Sequence, residues 1–168
     1  MFNKKFLLVV FLLSVGMGVL TFTPSEAQVP LSNPEGTFIL TVTAAGTPPF
    51  KELLTLHRGG TISETNTTLH PNSANPPAFP FNGSDGYGTW ERGPKKTVVI
   101  KFVKMVFDGG TNEHVGYLVV EATARIEGDD FTNLESDVNI LIGPDLFNPL
   151  SVIPLGPTDA VGRRITVE

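Results

Sequence analysis

Apolar and polar residues alternate along much of the chain from residue 36 onward, in runs separated by Gly, Pro, Asn and Asp. In the first such run, Phe38, Leu40 and Val42 alternate with threonines and other residues. A period of two residues is typical of β-strands that bury one face. No stretch after the N-terminal region shows a sustained helical period. The pattern therefore predicts an all-β protein.

The runs predict about eight strands, and their links are of hairpin length except for two long proline-rich segments, 68–88 and 143–162. Eight strands in chain order favour an antiparallel up-and-down barrel. A two-sheet β-sandwich would produce similar runs and remains the alternative. No proline lies inside a predicted strand, as expected of strands that pair through their N–H groups. The predicted strands are 37–44, 50–57, 61–67, 87–91, 97–107, 115–127, 131–142 and 163–167.

Three of these strands carry informative faces. The strand 97–107 is apolar on both faces for much of its length, as in a strand packed between layers or against a partner. In the strand 115–127, one face consists of Leu118, Val120, Ala122, Ala124 and Ile126. In the strand 131–142, we expect Leu134, Val138 and Ile140 to oppose Glu135, Asp137 and Asn139.

The first 27 residues have the layout of a secretory signal peptide. Lys4 and Lys5 precede an apolar run, and small residues end the segment at Ala27. Glycines interrupt the run, which is short for a comfortable membrane span. We therefore expect residues 1–27 to be a cleaved signal peptide, residues 28–168 to form one barrel domain, and the protein to be secreted or periplasmic.

Composition narrows the classes of function. The chain has no cysteine and a formal net charge of −5. Disulfides, thiol catalysis, thiolate metal sites and a lipidated N-terminal cysteine are thereby excluded. No basic patch is visible, so nucleic acid is not an expected partner. One Trp and two Tyr are too few for the aromatic girdles of an outer-membrane barrel, and no membrane partner is expected after signal cleavage.

The segment "GTFILTV", Gly36 to Val42, resembles the Gly-x-Trp opening of lipocalin-type (calycin) barrels, with Phe38 in the place of the tryptophan. The chain as a whole also resembles small secreted bacterial β-barrel proteins of uncertain function. The resemblance implies a small-ligand barrel. It also implies that an arginine near the last strand, Arg163 or Arg164, packs over the ring of Phe38.

Two carboxylates are the weak candidates for acid–base chemistry. Glu52 shares a strand face with Phe50 and Leu54, and Glu64 shares one with Ile62. If those faces point inward, two acids lie inside the barrel on adjacent strands, where burial raises the pKa of a carboxyl group. The alternative is that both acids sit at a solvated rim, because unpaired buried glutamates are rare.

Aromatic residues around the loop 68–88 are the candidates for ligand contact. Phe79, Phe81 and Tyr87 lie among prolines and glycines, where they can cover a barrel mouth or pack against its end. In this interpretation the loop is a lid. Trp90 follows it, and we interpret this ring first as core and second as pocket wall.

No metal or cofactor is expected. His57, His70 and His114 lack zinc spacing. The acidic turns at 108–113 and 127–130 lack the ligand spacing of a calcium loop and fit ordinary hairpin chemistry.

These features leave three hypotheses of function. The chain is a binding protein for a small hydrophobic ligand or a partner, a cyclase or isomerase that uses an interior carboxylate, or a structural protein with a filled core. We expect binding in preference to catalysis. The sequence leaves the oligomeric state open. A cavity above roughly 300 Å³, the scale of small-molecule sites, would favour the first two.

Overall fold

The computed structural model describes residues 33–68 and 80–166, which belong to one compact unit, Leu31–Glu168. The predicted signal peptide lies outside these residues. Ten strands and no helix make up the described part, so no helix there can cross a lipid bilayer. The strands are β1 (Gly36–Ala44), β2 (Phe50–Leu56), β3 (Thr61–Asn66), β4 (Phe81–Gly83), β5 (Gly86–Arg92), β6 (Thr97–Asp108), β7 (His114–Glu127), β8 (Asp130–Ile142), β9 (Ser151–Pro154) and β10 (Thr158–Arg164).

Eight of the strands form a closed antiparallel barrel, which confirms the predicted fold class over the sandwich. The ring runs β10-β1-β2-β3-β5-β6-β7-β8, and β10 closes it by pairing with both β1 and β8. The two short strands lie outside the ring. β4 pairs with β6 beyond the end of β5, and β9 pairs with β8 beyond its contact with β10.

The interior holds the apolar face of each long strand. On β7, Leu118, Ala124 and Ile126 are buried, as the alternation predicts. On β6, Val98, Ile100, Phe102 and Val106 are buried, whereas Val99 and Met105 on the outer face are exposed. The second apolar face of β6 is thus not covered by the described part of the chain.

The expected position of Leu134 in the interior is wrong. The pairing of β7 with β8 shifts between Thr123 and Ala124, which oppose Glu135 and Asn133. Leu134 is the extra residue of this β-bulge and turns outward, where 47% of it is exposed. A bulge shifts the alternation by one residue. Before the bulge, Phe131 and Asn133 face the interior. After it, Val138 and Ile140 do.

The two long linkers contain strands that were not predicted because these segments are rich in proline. β4 lies within the segment 68–88, β9 lies within the segment 143–162, and β10 begins in that second segment and ends at Arg164. The last strand is Thr158–Arg164 instead of the predicted 163–167. Pro154 ends β9, a strand whose only partner among the described residues is β8. A strand with one free edge tolerates a residue that lacks an N–H group.

One end of the barrel is closed by Arg164 over the ring of Phe38, at 4.8 Å from the guanidinium carbon to the ring centroid. This is the contact that the resemblance implied. The guanidinium also donates hydrogen bonds to the carbonyl oxygens of Asn33 and Glu35 and pairs with Asp129 at 3.2 Å. Gly36 has a φ of +138°, and a Cβ there would collide with the guanidinium. The glycine therefore leaves the space that Arg164 occupies.

Candidate functional site

A cavity of about 140 Å³ occupies the barrel interior at the end opposite Arg164. Its wall is mainly apolar and comes from β1, β2, β3, β6, β7, β8 and β10, together with Phe81 of β4 and a few loop residues. The described chain stops at Thr68 and resumes at Pro80, and both Thr68 and Phe81 line the cavity. The volume is below the roughly 300 Å³ that would have favoured binding or catalysis over a filled core. The polar residues of the wall are Glu52, Asn66, Thr68, Asn133 and Thr158.

An ion pair between Glu64 and Lys104 lies inside the barrel beside this cavity. The ammonium of Lys104 is 2.8 Å from Oε2 of Glu64 and donates a hydrogen bond to Oε1 at 3.2 Å. The amide of Asn66 donates a second hydrogen bond to Oε1 at 2.9 Å. Both charged residues are 2% exposed, and they are the two buried charged residues of the described chain. The pair is therefore sealed from solvent.

Gly86 on β5 provides the space for this pair. It stands between the two strands that carry the charges, directly opposite Glu64 on β3. A Cβ at Gly86 would lie 2.7 Å from Oε2 of Glu64 and 2.9 Å from the ring of Phe102. The missing side chain lets the carboxylate of Glu64 extend across β5 to reach Lys104 on β6. Glycine within a strand commonly marks such a close approach.

Glu52 lies on the cavity wall, one strand away from Glu64. Its backbone pairs with Leu40 on β1 and Asn66 on β3, while Glu64 pairs with Leu54, two residues further along β2. The two carboxylates are thus diagonal neighbours on one face. Glu52 keeps a solvent-accessible fraction, unlike Glu64. The four ion pairs of the described residues do not include it.

Burial dominates the acid–base properties of both carboxylates. Burial, together with the negative charge of Glu64, raises the pKa of Glu52 to about 8, against the opposing charge of Lys104. Burial also raises the pKa of Glu64, against the charge and hydrogen bond of Lys104 and the hydrogen bond from Asn66. Glu52 remains partly accessible at the cavity, yet it has lost enough hydration for its neutral form to be favoured.

Another polar part of the barrel lies where the bulge of β8 faces β10. Ser136 accepts a hydrogen bond from the backbone N–H of Thr158 at 2.8 Å. Asn133 donates one to the carbonyl oxygen of Thr158 at 2.6 Å. These side chains bridge the strands where β8 and β10 are no longer paired through their backbones. The Oδ1 atom of Asn133 is buried and accepts no hydrogen bond from the described residues.

The predicted site residues are distributed between three places. Glu52 and Glu64 lie inside the barrel on adjacent strands, and the expectation of a solvated rim fails for Glu64. Phe81 lines the cavity. Tyr87 is 65% exposed on the outer face, away from the cavity wall. Phe79 lies outside the described residues, as does the central part of the expected lid.

Trp90 belongs to the core packing at the end opposite the cavity. It packs against the buried cluster that contains Phe38 and Val98. Its indole N–H donates a hydrogen bond to the carbonyl oxygen of His57 at 2.9 Å, which ties β5 to the turn between β2 and β3. Trp90 is absent from the cavity wall. The position agrees with its interpretation as a core residue.

The polar turns show ordinary local chemistry. Asp108 accepts hydrogen bonds from the backbone N–H groups of Gly110 and Thr111, and these bonds lower the pKa of its carboxyl group. Within residues 33–68 and 80–166, no group of three or more His, Asp or Glu side chains is placed to hold a metal ion.

Lys104 and Asn133 are the site residues that the sequence analysis missed. The alternation of β6 was visible in the sequence. It places Lys104 on the same face as the apolar residues Val98, Ile100, Phe102 and Val106. A lysine on the interior face requires an acidic partner. Combined with Glu64 on an inward face, the pattern could have identified the ion pair. Asn133 could not have been found, because its inward orientation depends on the bulge.

Comparisons with protein-family models, with curated protein sequences and with solved structures found no match to this chain. The fold class therefore rests on the closed barrel itself. The functional argument rests on the cavity and its charged neighbours.

Proposed function

We propose that this barrel binds a small, mainly apolar molecule in the cavity. The observation that carries the proposal is an interior space that the side chains of a closed barrel leave unfilled, bounded mainly by aliphatic and aromatic groups. Eight-stranded barrels either fill their interior with side chains or hold one small ligand. A few polar groups on an otherwise apolar wall are the usual composition of a ligand site.

The volume limits the size of the ligand. An apolar cavity of about 150 Å³ in another protein binds benzene, and the present cavity is about 140 Å³. A single ring or a short branched chain fits this space, whereas a long lipid or a multi-ring compound exceeds it. The expected ligand is therefore smaller than one that would fill a cavity of roughly 300 Å³.

Native mass spectrometry of the purified protein, followed by calorimetric titration with toluene, tests the proposal. The matched variants are Ala160→Leu, which adds volume to the cavity wall, and Val161→Leu, which changes the exposed neighbour on β10. We expect wild type and Val161→Leu to bind toluene and Ala160→Leu to lose most of the binding. Equal binding by all three proteins would place any toluene elsewhere, and no binding by wild type would reject the proposal.

A second candidate is acid–base catalysis of the isomerase type, and one observation favours it. Glu52 faces the cavity and holds its proton near neutral pH, since its pKa is raised to about 8. Such a group can donate a proton to, or take one from, a molecule in the cavity. If this role holds, the protein accelerates exchange of the α-protons of a small ketone such as cyclopentanone, measured by NMR in heavy water, and Glu52→Gln does not. Equal exchange rates with both proteins would eliminate catalysis by Glu52.

We also propose that the chain is exported and belongs among calycin-like barrels. The N-terminal layout supports export, and the packing of Arg164 over Phe38 supports the calycin comparison. Expression of the full chain in a bacterial host tests the first part. Intact mass should give a product that begins at Gln28 in the periplasm or medium. A product retained in the cytoplasm with residues 1–27 attached would contradict export.

A further inference from the structure

The interior of the barrel carries an imbalance of charge next to the cavity. Two carboxylates, Glu52 and Glu64, and one ammonium, Lys104, face the same region. Lys104 is engaged with Glu64 through two short contacts, and that pair is sealed. With all three groups ionised, the cluster has a net charge of −1, and the uncompensated carboxylate is the one on the cavity wall.

We propose that the ligand of the cavity is a small amphiphilic cation, a primary amine with a compact hydrocarbon body, whose ammonium group pairs with the carboxylate of Glu52. This inference rests on the proposed binding function and specifies its ligand class. An ammonium beside Glu52 brings the charge of the cluster to zero. The hydrocarbon body fills the space between the aliphatic and aromatic groups of the remaining wall.

The neighbours of Glu52 direct the choice toward a cation. Its pairing partners, Leu40 on β1 and Asn66 on β3, are uncharged. The nearest charges are Glu64 on β3 and Lys104 on β6, and Asp85 acts in turn on Glu64. An anionic ligand would meet the carboxyl group of Glu52 and, beside it, the charge of Glu64, whose single counter-ion is already in use. A neutral ligand would leave Glu52 in its protonated form.

The exchange of a proton for the ammonium gives the inference a measurable consequence. Without a cation, Glu52 carries a proton near neutral pH because of its burial and the charge of Glu64. An ammonium stabilises the ionised form, so binding of the amine releases that proton to solvent. The affinity for the amine therefore rises with pH up to about 8, by up to about tenfold per unit.

Benzylamine, benzyl alcohol and toluene are probes of nearly equal shape that differ in the group attached to the ring. Calorimetric titration at pH 7 in two buffers of different ionisation enthalpy gives both the affinity and the number of protons released. We expect benzylamine to bind wild type at least about tenfold more tightly than benzyl alcohol and to release a proton, whereas the two neutral probes release none.

Two variants assign the preference to Glu52. Glu52→Gln keeps the size of the side chain and removes its charge. Glu135→Gln makes the same change on the exposed face of β8. We expect the preference for benzylamine to fall to about twofold or less in the first variant and to persist in the second. A preference that survives in Glu52→Gln would overturn the assignment.

The remaining outcomes separate this inference from the proposed function. If toluene and benzyl alcohol bind wild type but benzylamine binds no better, the charge inference fails and the apolar binding site stands. If none of the three binds, both fail. Proton release is measured on wild type alone, so the test does not depend on the folding of Glu52→Gln. Benzylamine that binds without releasing a proton would reject the inference.

Discussion

Lys104 is buried inside the barrel in an ion pair with Glu64. Its side chain is 2% exposed, and its ammonium meets the carboxylate of Glu64, whose side chain is 0% exposed. Removing one partner of such a pair leaves a charge in a medium that solvates it poorly, and this costs more than the intact pair contributes. Substitution of Lys104 or Glu64 alone should therefore destabilise the protein more than substitution of both.

Lys104→Met should lower the free energy of unfolding by about 3–5 kcal/mol, because Glu64 is left buried without its cation. The double variant with Glu64→Leu should recover most of that loss, since apolar residues can replace a buried pair. Urea denaturation followed by the fluorescence of Trp90 measures both. As a control, Lys101→Met breaks the exposed contact with Glu121 and should cost at most about 1 kcal/mol. Similar losses in the two lysine variants would show that burial of the pair is unimportant.

Glu52 gives stability a defined pH dependence. Its pKa is raised from 4.5 to about 8 in the folded protein, so between these values the native state binds more protons than the unfolded chain. Stability from this group is complete below pH 4.5 and is lost as pH rises through about 8, with a slope of up to about 1.4 kcal/mol per pH unit. Denaturation of wild type and Glu52→Gln from pH 5 to 9 checks this. The variant should show the shallower decline, and parallel curves would contradict the raised pKa.

At the scale of the strand, alternation in the sequence predicted the faces of β1, β2, β3 and β7 correctly. It failed on β8, where one extra residue reverses the face at Leu134. It also failed around Pro154, because a proline argues against a strand only where its N–H would be needed. Both failures have one cause. Bulges and free edges are properties of pairing with a neighbour, and the sequence of a single strand does not contain them.

The need for glycine in β5 likewise depends on the neighbouring strand. A Cβ at Gly88 would lie 2.6 Å from the Cα of Phe102 on the adjacent strand. Because that contact is with backbone, Gly88→Ala should force β5 and β6 apart and cost about 1–3 kcal/mol. Gly110→Ala in the turn after β6, where the nearest atom to a Cβ is a side-chain oxygen at 3.4 Å, is the control and should cost less. Guanidinium denaturation compares the two, and equal midpoints would argue against the close approach.

At the scale of the whole molecule, the sequence indicated the closed barrel and its closing contact. Strand number and hairpin links favoured the barrel over the sandwich, and the resemblance to calycin barrels implied that Arg163 or Arg164 packs over Phe38, a contact that Arg164 makes. The candidate site was predictable in part. Alternation put Glu52 and Glu64 on faces shared with apolar residues, with a solvated rim as the alternative, and did not indicate the cavity, since its volume depends on how eight faces pack together. The pattern of a single strand does not indicate an unfilled interior volume.

Arg164 connects parts of the chain that are far apart in sequence. It contacts Asn33, Glu35 and Phe38 near the start of the barrel and Asp129 in the turn between β7 and β8. Arg164→Met keeps much of the aliphatic stem and removes the donors, so we expect a loss of about 2–4 kcal/mol from several charge-assisted hydrogen bonds. Arg163→Met, which removes a pair with Asp130 that is 70% exposed, should change stability little. Thermal unfolding by circular dichroism distinguishes them, and equal melting temperatures would mean that Arg164 does not hold the barrel end.

The two strands outside the ring have a consequence for motion. β4 has three residues and β9 has four, and each pairs with the part of β6 or β8 nearest the cavity. Short edge pairings open at a lower free energy than the continuous ladder of β6, β7 and β8. Amide hydrogen exchange should therefore be fastest in β4 and β9 and slowest at the centre of β7. A ligand of the kind proposed would then enter through local fraying of one rim while the rest of the barrel keeps its hydrogen bonds.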